Sequence, residues 1–226
     1  MNLQLYFLLI GAPLILGLWA QFRVSSAFNR YTKVAVSSGL TGAEAAKKIL
    51  NEASLNNVSV LPAEGAMSDH YDPSAKCLHL SADVYYGNSI TAVGVAAHEC
   101  GHALQHQADY GPLKLRIFLV PATQFSSKLL PFVILGGFFF HLTNLITLGI
   151  ACYAVLMVFQ LITLPVEFDA SARAKVILKN MGIIQSPSEV QGVNAVLNAA
   201  AWTYIAAFVA AVGNLIYLLM VRRNER

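Results

Sequence analysis

The sequence predicts a mainly α-helical membrane protein that carries a small α+β domain with a short β-sheet. Two observations predict it. Hydrophobic residues make up 56% of the 226-residue chain and charged residues 12%, about half the charge content of an ordinary soluble domain, and the mean hydropathy is +0.56. Charge-free runs long enough to cross a bilayer stand near both ends and in the middle, while a stretch of ordinary soluble composition separates the first from the second.

The first element is the uncharged run LQLYFLLIGAPLILGLWA at residues 3–20, with Trp19 near one boundary. No Lys or Arg precedes it, whereas Arg23, Arg30 and Lys33 follow it. That charge order is the reverse of a secretory signal, so the run reads as a retained anchor with its N-terminus outside. Residues 1–21 form this anchor.

Residues 22–116 read as a domain. Thr41-Gly-Ala-Glu44 is a capping-box pattern that opens a helix over AEAAKKILNEA. Residues 58–61 read as a short strand. Asp72-Pro73-Ser74 signals a turn, and the alternation Cys77-Leu78-His79-Leu80 reads as a second strand at a sheet edge. Beyond Gly87-Asn88-Ser89 comes a helix over ITAVGVAAHECGHALQHQ.

Apolar character returns after Pro112. LRIFLVPATQFSSK reads as an interfacial piece, and residues 129–164 contain no charge at all, too long a run for one span. His141, Thr143 and Asn144 near its middle suit a tight connection, giving a transmembrane hairpin within residues 117–165. A charged segment follows at 166–195, and 196–226 forms a last span and tail. Two crossings separate Gly101 from Glu167, so both lie on the same side. The positive charges place that side in the cytoplasm, although Arg222, Arg223 and Arg226 would then fall outside.

With a formal net charge of +3 and dispersed Lys and Arg, the chain offers no nucleic-acid face. Cys77, Cys100 and Cys152 show neither metal-knuckle nor disulfide spacing and read as small buried side chains.

The chemistry concentrates in His98-Glu99-Cys100-Gly101-His102, inside a predicted helix. Side chains four apart share a helix face, so two imidazoles converge on one metal, and Glu99 reaches a water beside it. Burying two imidazoles and a carboxylate in an apolar helix is costly without a metal or a hydrogen-bonding partner. Catalytic zinc takes three protein ligands and leaves one position open. His106 lies about 6 Å further along the axis and cannot close the same tetrahedron. Asp109 could fold back towards the site. Glu167, in LPVEFDASAR directly after an apolar run, is better placed, because a carboxylate at a membrane boundary needs a partner. Asp169 suits holding a ligand histidine's free N–H. Arg173, His70, Tyr71 and Tyr86 are candidate donors to a developing oxyanion. These residues predict metal-assisted hydrolysis with Glu99 as general base.

GVAAHECGHALQH followed by LPVEFDASARA resembles the neutral zinc metallopeptidases of the bacterial YugP type, a membrane group similar to the gluzincins. DHYDPSAKCLHLSADVY and the late AAWTYIAA extend the resemblance over most of the chain. It implies a gluzincin-like peptidase domain, Zn2+ as cofactor and Glu167 as third ligand. It also implies that the strand near residues 77–81 is an edge on which an extended peptide lies. In related membrane peptidases the distal motif is usually Glu-x-x-Ala-Asp, whereas here Asp169 precedes Ala170. The function these readings imply is a zinc endopeptidase of a bacterial plasma membrane, acting on membrane or membrane-associated polypeptides. The alternative is a zinc-binding membrane scaffold without hydrolytic activity. Transport predicts ionisable residues within the spans, which are nearly free of them. A binding-only protein has no use for Glu99.

Overall fold

The computed structural model describes residues 3–65, 67–140 and 143–224. It is mainly helical, with one three-stranded sheet. His141, placed above in the hairpin connection, lies outside the described residues, as do the final Glu225 and Arg226.

The chain opens with α1 (Leu3–Tyr6), a π-helical turn (Phe7–Gly11) and α2 (Ala12–Tyr31). Next come α3 (Gly42–Glu52), β1 (Ser59–Ala63), β2 (His70–Asp72), β3 (Cys77–Ser81) and the short α4 (Ala82–Tyr85). Four longer helices follow: α5 (Ile90–Gln107), α6 (Gly111–Phe139), α7 (Thr143–Asn180) and α8 (Pro187–Asn224). Four helical stretches, 3–31, 111–137, 144–180 and 187–223, are long and apolar enough to cross a membrane.

The chain divides into two compact units. The first comprises Met1–Gln21, Gly111–Pro165 and Trp202–Arg226. Within it, small residues allow close helix approach: a Cβ on Gly213 would collide with the Leu9 carbonyl, and one on Gly136 would meet Leu145 at 2.8 Å. Trp19 packs edge-on against Trp202, and Tyr6 against Tyr217, with ring centroids 5.2 Å and 5.7 Å apart.

The second unit comprises Phe22–Tyr110 and Val166–Ala201. Its core gathers Ile49 and Leu50 of α3, Leu78 and Leu80 of β3, Val93 and Ala97 of α5, and Leu178 and Val193 of α7 and α8. Thr41 caps α3 as the sequence pattern predicts: its hydroxyl accepts from the Glu44 amide at 3.2 Å while the Glu44 carboxylate accepts from the Thr41 amide at 2.8 Å. The strand order is β1-β3-β2, with β1 parallel and β2 antiparallel to β3.

Three expectations change. The strand at 77–81 is not an edge but the centre of the sheet, because the hairpin brings the three residues of β2 onto its free side, with His70 opposite His79. The edges are β1, which tolerates Pro62 there, and β2. The supposed interfacial piece after Pro112 is continuous with α6. The charged segment is no separate element either. Residues 166–180 complete α7, Gly182 with φ of 63° closes that helix, and Ser186-Pro187-Ser188-Glu189 starts α8 with a second reciprocal cap. Helix continues wherever backbone and core packing support it, whatever the hydropathy.

Candidate metal centre

The site lies wholly in the second unit, on α5 and the part of α7 beyond Pro165. Ser89 starts α5, its hydroxyl accepting from the Ala92 amide at 3.1 Å, and the helix then runs unbroken through the His-Glu-x-x-His sequence. The His98 and His102 rings meet edge-on, centroids 4.8 Å apart.

Glu167 of α7 reaches both. Its Oε2 lies 3.2 Å from His98 Nε2 and its Oε1 3.7 Å from His102 Nε2. Ligand atoms of the three residues all fall within 4.8 Å of one another, and no other such group of three occurs among the described residues. Gly101 permits this approach: a Cβ there would sit 2.7 Å from the Ala170 carbonyl oxygen of α7.

The opposite ring nitrogens are engaged by protein. His98 Nδ1 lies 3.1 Å from Ser171 Oγ, and His102 Nδ1 lies 3.0 Å from Gln105 Oε1. Both Nε2 atoms therefore face the Glu167 carboxylate, and Glu167, only 2% exposed, is costly to bury without a cation. Two imidazoles, one carboxylate and engaged Nδ1 atoms suit zinc in a catalytic His2Glu arrangement.

Glu99 is buried beside them. Burial pushes its carboxyl up to about 7; His98 and His70 lower it, while Glu167 and Asp69 raise it. A carboxyl so raised exchanges protons near neutrality, as a general base must. Burial pushes the adjacent Cys100 thiol up as well, and all three cysteines are buried and free, which suits packing rather than chemistry.

The remaining candidates separate. Asp169 does not meet a ring nitrogen as expected; its Oδ2 accepts from Gln105 Nε2 at 2.8 Å and from Arg173 Nε at 2.6 Å. Arg173 is thereby tied one helical turn along α7. His106 Nδ1 bonds the Tyr71 hydroxyl at 2.9 Å. Tyr86 is exposed and packs on Tyr85. Asp109 follows the end of α5 with φ of 56° and is not in the converging group. His70 stacks on His79, and its charge is felt by the Glu99 carboxyl. The Ser68 carbonyl accepts from His70 Nδ1 at 2.8 Å.

Gln105 and Ser171 were not foreseen. Neutral side chains leave no charge pattern in a sequence. The one available signal is that Gln105 interrupts an apolar helix three residues after a metal-type histidine.

The sequence profile of a family described as "Putative neutral zinc metallopeptidase" matches residues 6–223. A Bacillus subtilis (strain 168) protein described as "Putative membrane protease YugP" is 49% identical over 223 residues, covering 99% of each chain. No solved structure shows a significant match to the chain.

Proposed function

The chain belongs to the neutral zinc metallopeptidase family, and from that premise we propose that it is a membrane endopeptidase in which His98, His102 and Glu167 hold Zn2+ and Glu99 is the general base. The observation that carries this reading is the convergence of those three donors beside a buried carboxyl raised to about 7. When bound, zinc polarises the scissile carbonyl and acidifies the attacking water. Glu99 takes the water's proton on its carboxylate and delivers it to the leaving amide nitrogen. His70, with Nδ1 held by the Ser68 carbonyl, offers Nε2 to the developing oxyanion when its ring is doubly protonated. Arg173 is better matched to holding Asp169.

The substrate is an extended polypeptide at or near a membrane. Strand β2 is an open edge that packs close to α5, so a peptide paired to it would be read through its backbone, with loose side-chain preference. Arg23, Arg30, Lys33, Arg173, Lys175 and Lys179 favour a cytoplasmic position for the second unit. Digestion of that unit by external protease in intact cells would reverse this assignment. The closeness of the site to an apolar run of the same helix favours membrane-associated substrates, and a bacterial plasma membrane is the expected location, the Bacillus relative being described as a membrane protease.

The test is zinc content and casein cleavage by the detergent-purified chain beside two variants. Glu99→Gln is expected to keep zinc and lose turnover by at least 10²-fold, a typical contribution of a general base. Glu167→Ala is expected to lose zinc. Full activity in Glu99→Gln would remove the mechanism, and bound zinc with no wild-type cleavage would favour a zinc-binding scaffold.

A further inference from the structure

We infer that Gln105 is the positioning residue of the metal centre: it locks His102 in the Nδ1–H tautomer and staples α5 to the backbone that carries Glu167. The inference rests on the metal reading given above.

The argument is one of donors and acceptors. Gln105 is wholly buried, with 0% of its surface exposed. Its Nε2 lies 2.7 Å from the Val166 carbonyl, which can only accept, and 2.8 Å from Asp169 Oδ2. The amide nitrogen therefore faces those two oxygens. Turning the amide over would set Oε1 against a carbonyl and a carboxylate and leave both without their donor, a large penalty in a buried site. With the nitrogen fixed, Oε1 faces His102 Nδ1 at 3.0 Å. An amide oxygen only accepts, so Nδ1 carries a proton, which leaves Nε2, the nitrogen turned towards Glu167, as the one a metal can take.

The same side chain positions the third donor. Val166 immediately precedes Glu167, and Asp169 follows two residues later, so the two Gln105 donor bonds bracket Glu167 along α7. Arg173 Nε donates to the same Asp169 oxygen at 2.6 Å, one helical turn along α7, and so fixes where that acceptor stands for Gln105. One neutral residue thus sets a tautomer on α5 and the height of a carboxylate on α7. Ser171, the partner of His98 Nδ1, cannot impose a tautomer in this way, because its hydroxyl both donates and accepts.

The test reads the tautomer directly. Metal-free, full-length protein in detergent, labelled with ring-15N histidine, is expected to show His102 protonated at Nδ1; His102→Asn identifies the resonance. Gln105→Leu is expected to mix the tautomers and weaken zinc 10- to 100-fold in competition with a chromogenic chelator. Gln105→Glu retains an acceptor for His102 but has no donor for the Val166 carbonyl or Asp169, and is expected to keep His102 protonated at Nδ1 while still weakening zinc. A wild-type His102 carrying its proton on Nε2 overturns the inference. So does unchanged zinc affinity in a folded Gln105→Leu variant. Should that variant not fold, the wild-type spectrum and Gln105→Glu decide. The tautomer is read without metal, so a chain that binds no zinc would defeat the proposed function while leaving this question answerable.

Discussion

At the scale of single residues, charge and spacing made the two histidines and Glu99 visible. Imidazoles four apart on a helix share a face, and no folded structure is needed to see it. Glu167 stood out because an acid just beyond an apolar run requires a partner, and its distance in the sequence from His98, 69 residues, is closed only by the fold. Asp169 was visible for the same reason, but its partner was not: Gln105 stands between it and His102. The structure also separates the oxyanion candidates by their partners: Arg173 is bonded to Asp169 and Tyr71 to His106, while His70 has Nδ1 on the Ser68 carbonyl. His70→Ala is expected to lower kcat on the order of 10²-fold with zinc content unchanged. Metal analysis beside steady-state kinetics checks it, and an unaltered kcat would exclude His70.

At the scale of elements, the start of α3 was written in Thr41 and Glu44, and removing that cap has a defined cost. Thr41→Ala is expected to destabilise the second unit by about 1 kcal/mol, read as a lower denaturant midpoint at constant slope. The contact of α5 with α7 depends on a missing side chain. Gly101→Ala places a methyl 2.7 Å from the Ala170 carbonyl, and relieving that clash pushes the two helices apart. A loss of about 1–3 kcal/mol and weakened zinc retention are expected, measured by thermal melting and metal analysis. Strand β2 was illegible because three residues carry no period; only pairing with β3 defines it. The full reach of α7 and α8 was hidden differently. Hydropathy marks where a helix could meet lipid, whereas the stretches of these helices after Pro165 in one and before Trp202 in the other belong to the second unit.

At the scale of the molecule, mainly helical architecture and four apolar stretches followed from composition, because long uncharged runs have few alternatives to helix. The division into two units, each assembled from separated stretches of chain, did not, since contact between distant segments leaves no local trace. The ligand set proposed on α5 and α7 would make a bound metal a cross-link within the second unit. Chelation is therefore expected to lower its melting temperature, and excess zinc to raise it. Free zinc at 100-fold above its Kd corresponds to about 2.7 kcal/mol. Glu167→Ala is expected to abolish the response; an equal shift in that variant would place the stabilising metal elsewhere.

Glu167 belongs to the same continuous helix as an apolar stretch that precedes it, and that order has a consequence for biosynthesis. The histidine pair leaves the ribosome first, then α6 and most of the apolar part of α7, and only then the third donor. At about 5–20 residues per second, the 69-residue separation corresponds to a delay on the order of 3–14 s. Throughout that interval a nascent chain holds an incomplete ligand set. On the proposed ligand set, proteolytic competence would begin only after α6 and the apolar part of α7 have been synthesised.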